Sequence, residues 1–156
     1  MQQGLSAYRA TGAEIWRPHF LALLAEAYGS AGQTEAGLKT LAEALAMVDR
    51  TQERAYEAEL YRLKGELTLL QPSREAEDVG GRDEAKACFL KAIAIARQQS
   101  ARSLELRAVM ALSRLWWQQG KPGDSRQMLA ETYGWFTEGF DTADLQEAKA
   151  LLDELH

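Results

Sequence analysis

The sequence predicts an all-α protein in which antiparallel helix pairs stack into an α-solenoid closed by a carboxy-terminal capping helix. Three observations carry that expectation. Apolar residues recur at three- and four-residue steps along most of the chain, the period that gathers them on one face of a helix. Gly and Pro punctuate those runs where short turns are needed. A pattern also returns in every second helix, a small residue followed four positions later by a large apolar one: Gly37, Leu41 and Ala44, then Ala85, Phe89 and Ala92, then Ser125, Leu129 and Thr132.

The elements follow in order. Pro18 suits the first residue of a helix, because the N–H it lacks is one the first turn leaves unpaired. That helix runs to about Ser30, with Leu21, Leu24, Ala25 and Tyr28 on one face and Gly29 and Gly32 at its end. A second helix from about Thr34 carries Leu38, Leu41, Leu45 and Val48, with small Gly37 and Ala44 where a neighbouring backbone can come close. Tyr56, Leu60, Leu63, Leu67 and Leu70 predict a third helix ending before Pro72, and Ser73 to Arg82, with Gly80-Gly81, reads as a loop. Ala85, Phe89, Ala92, Ile93 and Ala96 mark its partner. A third pair spans Ser103 to Gln119 (Leu106, Val109, Leu112, Ser113, Trp116) and about Pro122 to Phe136, joined at Gly120-Lys121-Pro122. Asp141 is placed to cap a last helix bearing Leu145, Ala148, Leu151, Leu152 and Leu155.

The 156 residues thus divide into one domain: a partial repeat over 1–16, with Leu5 and Tyr8 apolar, repeats over about 18–50, 53–100 and 102–136, and a capping helix over about 141–155. A chain of this length buries about two-thirds of its unfolded surface and folds without staples. The hydrophobic and charged fractions, 46% and 26%, are those of a globular protein. A net charge of -5, with no run of Lys or Arg, argues against nucleic acid. No charged-then-apolar leader opens the chain and no apolar run approaches the roughly 20 residues that span a bilayer. The expectation is a soluble, cytoplasmic protein. The single cysteine, Cys88, fits a reducing compartment.

The second helices align at spacings of 48 and 40 residues, against the roughly 34 of a tetratricopeptide repeat, the first excess lying in the Ser73 to Arg82 segment. The segments Arg17–Gly29 (RPHFLALLAEAYG), Glu59–Leu67 (ELYRLKGEL) and Tyr133–Leu145 (YGWFTEGFDTADL) resemble the carboxy-terminal tetratricopeptide region of bacterial multidomain signalling proteins, adenylate or guanylate cyclase-like chains with an ATPase module. The resemblance covers nearly the whole chain. It implies a regulatory or partner-binding tail, with the enzyme and nucleotide-binding domains upstream and Leu155 near the natural carboxy terminus. The sequence departs from ordinary tetratricopeptide repeats in lacking a strong aromatic early in the first helices and a proline after the second.

In stacks of this kind the first helices line a groove, so their non-core faces are the candidates for contacting a peptide. By spacing these are His19, Glu26, Glu59, Arg62, Glu66, Arg107, Met110, Arg114 and Trp117. Arg107 and Arg114 either grip acidic groups of a partner or pair internally with Glu59 and Glu66. Reversing both should weaken partner capture while leaving the melting temperature nearly unchanged. Trp116 and Trp117 point about 100° apart on a helix, so Trp116 is assigned to the core and Trp117 to packing between repeats or to an interface. Trp135, Phe136 and Phe140 are expected to seat the last helix.

No residue pattern calls for catalysis, a cofactor or a metal. His19 and His156 lack companions at ligand spacing. Cys88 beside Phe89 reads as a buried thiol, Glu57 and Glu59 diverge on a helix, and Gly120-Lys121 lacks the surroundings of a phosphate loop. The partner expected is a protein or peptide, including upstream domains of the same parent chain. The alternatives are self-association as a homo-oligomer through the amino-terminal partial repeat and, behind that, a small-molecule site between helices.

Overall fold

The computed structural model describes residues 17–71 and 79–155. The partial repeat expected at 1–16, most of the segment expected to be a loop, and His156 lie outside the described residues. Those described form seven α-helices and no strand: α1 Arg17–Ser30, α2 Thr34–Thr51, α3 Glu57–Leu70, α4 Val79–Gln98, α5 Arg102–Gln118, α6 Pro122–Tyr133 and α7 Ala143–Glu154.

Local sequence explains where several of these helices stop. After α1, α4 and α5 one residue takes a left-handed conformation, Gly32 (φ 77°), Ser100 (φ 54°) and Gly120 (φ 78°). At each, two backbone bonds close the last turn: Gln33 N–H to Tyr28 O and Gly32 N–H to Gly29 O, then Ala101 to Ala96 and Ser100 to Arg97, then Lys121 to Trp116 and Gly120 to Trp117. This is the Schellman arrangement, which satisfies carbonyls the helix end would orphan. Ser100 adopts it without the freedom of glycine, a conformation that costs an L-residue roughly 1–2 kcal/mol.

The helices pack as neighbours in the chain. α1 lies on α2, α3 on α4 and α5 on α6, and each pair touches the next. Arg17, at the start of α1, donates to Glu43 in the second half of α2 at 2.6 Å, whereas Gly37 near the start of α2 faces Ala25 O. The two helices are therefore antiparallel. In addition α1 touches α3, α3 touches α5, and α5 touches α7, so the odd-numbered helices lie side by side.

Small residues set the spacing within and between pairs. A Cβ on Gly37 would stand 2.8 Å from Leu67 Cδ1, and one on Gly29 would stand 2.6 Å from Leu67 Cδ2. Leu67 of α3 thus wedges between α1 and α2. A Cβ on Gly65 would meet Phe89 Cε1 at 2.5 Å, so the ring of Phe89 lies directly on the α3 backbone. At the equivalent place in the third pair, Ser125 Oγ donates to Ser113 O at 2.7 Å and Ser113 Oγ to Ser125 O at 3.3 Å. All nine aligned positions of the second helices are buried. Two apolar clusters result, one uniting α1, α2 and α3 around Leu41, Leu60 and Leu63, the other running from Phe89 through α5 and α6 to Leu155.

Several expectations are corrected. α4 begins at Val79, so Gly80 and Gly81 lie in its first turn and the connection is shorter than Ser73 to Arg82. The length and amphipathic stripe of the helix outweigh the helix-breaking tendency of two glycines in its first turn. Leu70 is 59% exposed, because the last turn of α3 runs past the packed layer. Thr142, not Asp141, occupies the amino-terminal cap of α7, its hydroxyl accepting from Leu145 N–H at 3.5 Å. Of the aromatics expected to seat α7, only Phe136 packs on the core. Trp135 and Phe140 are each 46% exposed, Trp135 under the Arg102 guanidinium at 4.5 Å and Phe140 beside Tyr133. A cation over an indole face covers the ring without burying it.

Candidate functional site

The layer of odd helices presents one stripe from each member. On α1 the stripe is His19, Leu23 and Glu26; on α3, Glu59, Arg62 and Glu66; on α5, Arg107, Met110 and Arg114; on α7, Asp144 and Glu147. Each set is spaced by three or four residues, so it falls on one side of its helix. Together they line an open groove of about 590 Å³. Eight of the nine residues expected from spacing stand in this groove. Trp117 does not: it is 46% exposed outside the groove, while Trp116 turns onto the core with its indole N–H buried and unpaired among the described residues.

Three lining residues were not anticipated. Leu23 lies four residues after His19 and three before Glu26, a spacing that marks it, but a leucine in an apolar helix reads as core. Asp144 and Glu147 belong to α7, whose sequence announces only its buried stripe. Nothing local tells that its opposite edge reaches the groove.

Charges in the groove are mostly spent on one another. Arg62, deeply set on α3, makes paired bonds to Glu59, Nη2 to Oε1 at 2.5 Å and Nε to Oε2 at 3.0 Å, and reaches Glu66 at 2.9 Å. Burial by itself lowers the Arg62 pKa, but the hydrogen bond and charge of Glu59, aided by Glu66, outweigh it and raise the guanidinium above its ordinary value. Arg107 grips Asp144 through both carboxylate oxygens, at 2.9 and 3.1 Å, and touches Glu59 at 3.4 Å. Arg114 is hydrogen-bonded to Glu147. Internal pairing of Arg107 with Glu59 is therefore present, whereas Arg114 pairs with α7 in place of Glu66.

The two halves of the groove differ in balance. Between α5 and α7, two guanidiniums meet two carboxylates. Between α1 and α3 three carboxylates stand with one guanidinium: Glu59 and Glu66 share Arg62, and Glu26, exposed on α1, has no ion pair among the described residues. His19, also in the lining, has its ring 4.5 Å from that of Tyr56 at a tilt of 32°.

Other titratable groups fit a packing role. Burial pushes the Cys88 thiol above its ordinary value, with Glu84 adding to the effect and Lys64 and Lys91 opposing it. Among the described residues no group of three His, Cys, Asp or Glu side chains is arranged to hold a metal ion, and no helix is long and apolar enough to cross a membrane. No protein-family model matches the chain, and no curated protein matches its sequence.

Proposed function

We propose that the chain is a helical-repeat interaction module of the tetratricopeptide type, and that its odd-numbered helices bind a segment of another protein or of domains upstream in its own longer chain. The observation that carries this reading is the groove itself: the four alternate helices α1, α3, α5 and α7 each contribute a side-chain stripe at helical spacing to one concave surface. Repeats that stack in register present such a surface along the layer of their first helices. The equivalent burial of the small and large positions in α2, α4 and α6 supports a repeat origin for the register. On the resemblance of its three segments, the module is read as the regulatory tail of a bacterial cyclase-like signalling protein.

The test must spare the arginines. Arg107 and Arg114 hold α7, so reversing them disturbs folding as well as any partner. A photocrosslinking residue replacing Leu23 is preferable, with the same residue at Glu154, at the far end of α7, as reference. In lysate of the source cells, or in the full parent chain, position 23 should trap a protein segment that position 154 does not. Equal trapping at the two positions would remove the groove from consideration.

A further inference from the structure

We infer that the α1–α3 half of the groove receives a basic side chain, lysine or arginine, from the partner segment; this rests on the reading of the groove as a protein-binding surface. An acidic segment would be the natural guess from Arg107 and Arg114. Both guanidiniums already hold carboxylates, Arg107 those of Asp144 and Glu59, and Arg114 that of Glu147. An incoming acid must displace those bonds and leave α7 carboxylates facing its own charge. Arg62 is likewise held between Glu59 and Glu66.

The charge left over is negative, and it is localised. Glu26 carries no counter-charge among the described residues, and Glu66 shares Arg62 with Glu59 while remaining 39% exposed. Leu23, 39% exposed, stands three residues before Glu26 on the same face of α1. An exposed aliphatic side chain beside an uncompensated carboxylate matches the anatomy of lysine and arginine, whose methylene stems lie on apolar surface while the cationic head seeks an acid. Excess charge of one sign on a concave wall also steers an oppositely charged segment toward it. The complement is therefore a basic residue flanked by apolar ones.

Two fluorescein-labelled hexapeptides test this on the full chain, one alternating lysine with leucine and the other alternating glutamate with leucine. Anisotropy is read at low and at high salt, and a photocrosslinker at position 23 reports entry into the groove. The lysine peptide should bind, weaken with salt, and crosslink at position 23. The Glu26→Gln, Glu66→Gln variant should weaken it about fivefold or more. The control Glu84→Gln, Glu154→Gln, which removes the same charge elsewhere, should leave it unchanged. Circular dichroism confirms that each variant is folded. Preferential crosslinking of the glutamate peptide would overturn the basic specificity while leaving the groove as a peptide site. Equal weakening by the control variant, or no crosslink from either peptide, would also overturn it; the groove reading would then stand or fall on the trapping of natural segments at position 23.

Discussion

The α1–α3 and α5–α7 halves of the groove share one plan, a pair of neighbouring helices each showing a polar stripe, yet they are finished differently. Between α5 and α7 the facing charges are matched, Arg107 with Asp144 and Arg114 with Glu147, and the pairs hold the last helix in place. Between α1 and α3 no ion pair crosses among the described residues; Leu67 of α3 wedges against Gly29 of α1 and Gly37 of α2, and the groove-facing charge is left unbalanced at Glu26. Surface charge thus serves two different uses in the two halves. Where charge fastens one helix to another, little is left for a partner; where glycine and leucine do the fastening, the polar stripe is released.

The largest expected effect comes from breaking the link between the halves. Phe89 lies on Gly65 of α3 and belongs to the apolar cluster that continues to α7. Phe89→Ala should cost about 3–5 kcal/mol, read by urea or thermal denaturation, with amides of α3 and α5 losing protection together. A loss below roughly 1 kcal/mol would mean that the two clusters stand independently.

Next is Arg107→Glu with Arg114→Glu, which places four acids together along α5 and α7. Each original pair is partly exposed and contributes at most about 1 kcal/mol, and repulsion adds a comparable amount, so a total loss of roughly 1–3 kcal/mol is expected. Hydrogen exchange should rise first in α7 and leave α1 and α2 unchanged. An unaltered melting temperature, which spacing alone predicts, would show that the apolar stripe of α7 is sufficient.

A smaller effect belongs to the α3–α4 contact. The Cys88 thiol is raised by burial, so the folded chain keeps its proton at pH values where the unfolded chain has lost it. Stability should therefore fall as pH climbs above the ordinary thiol value of about 8.5, and Cys88→Ala should abolish that part of the slope. Native labelling by iodoacetamide at neutral pH should be slower than in urea; equal rates would contradict the burial. The smallest effect should follow Glu26→Lys, the same type of reversal as on α5 but at an unpaired site. Stability should stay within about 0.5 kcal/mol of the parent, and a larger loss would reveal that Glu26 holds a stabilising contact.

The helical content was legible because it rests on local chemistry. Gly32 and Gly120 end their helices through backbone freedom, and the buried stripes repeat at a period visible in a single sequence. The alternation at Gly37, Ala85 and Ser125 was legible for the same reason, since a close approach demands a small residue wherever it occurs. The break at Ser100 was legible as a repeat boundary but its left-handed conformation was not, because a serine carries no sequence mark for it. The start of α4 was hidden too, two glycines masking a helix that its downstream stripe extends. Eight groove residues could be placed because position on a helix face follows from spacing once the neighbouring helix is known. Trp117, in the last turn of α5, falls outside the groove, and its spacing from Arg114 does not reveal this.

By itself, the sequence determined which segments are helical, which face of each is apolar, and which small residues mark close contacts, because these depend on backbone geometry and periodicity within about twenty residues. The tertiary structure alone decided which charges pair between helices. Arg107 finds Asp144 thirty-seven residues away and Arg114 finds Glu147 thirty-three away, since an ion pair is set by where two helices come to rest, and a carboxylate looks the same in sequence whether it is paired or, like Glu26, left facing the groove.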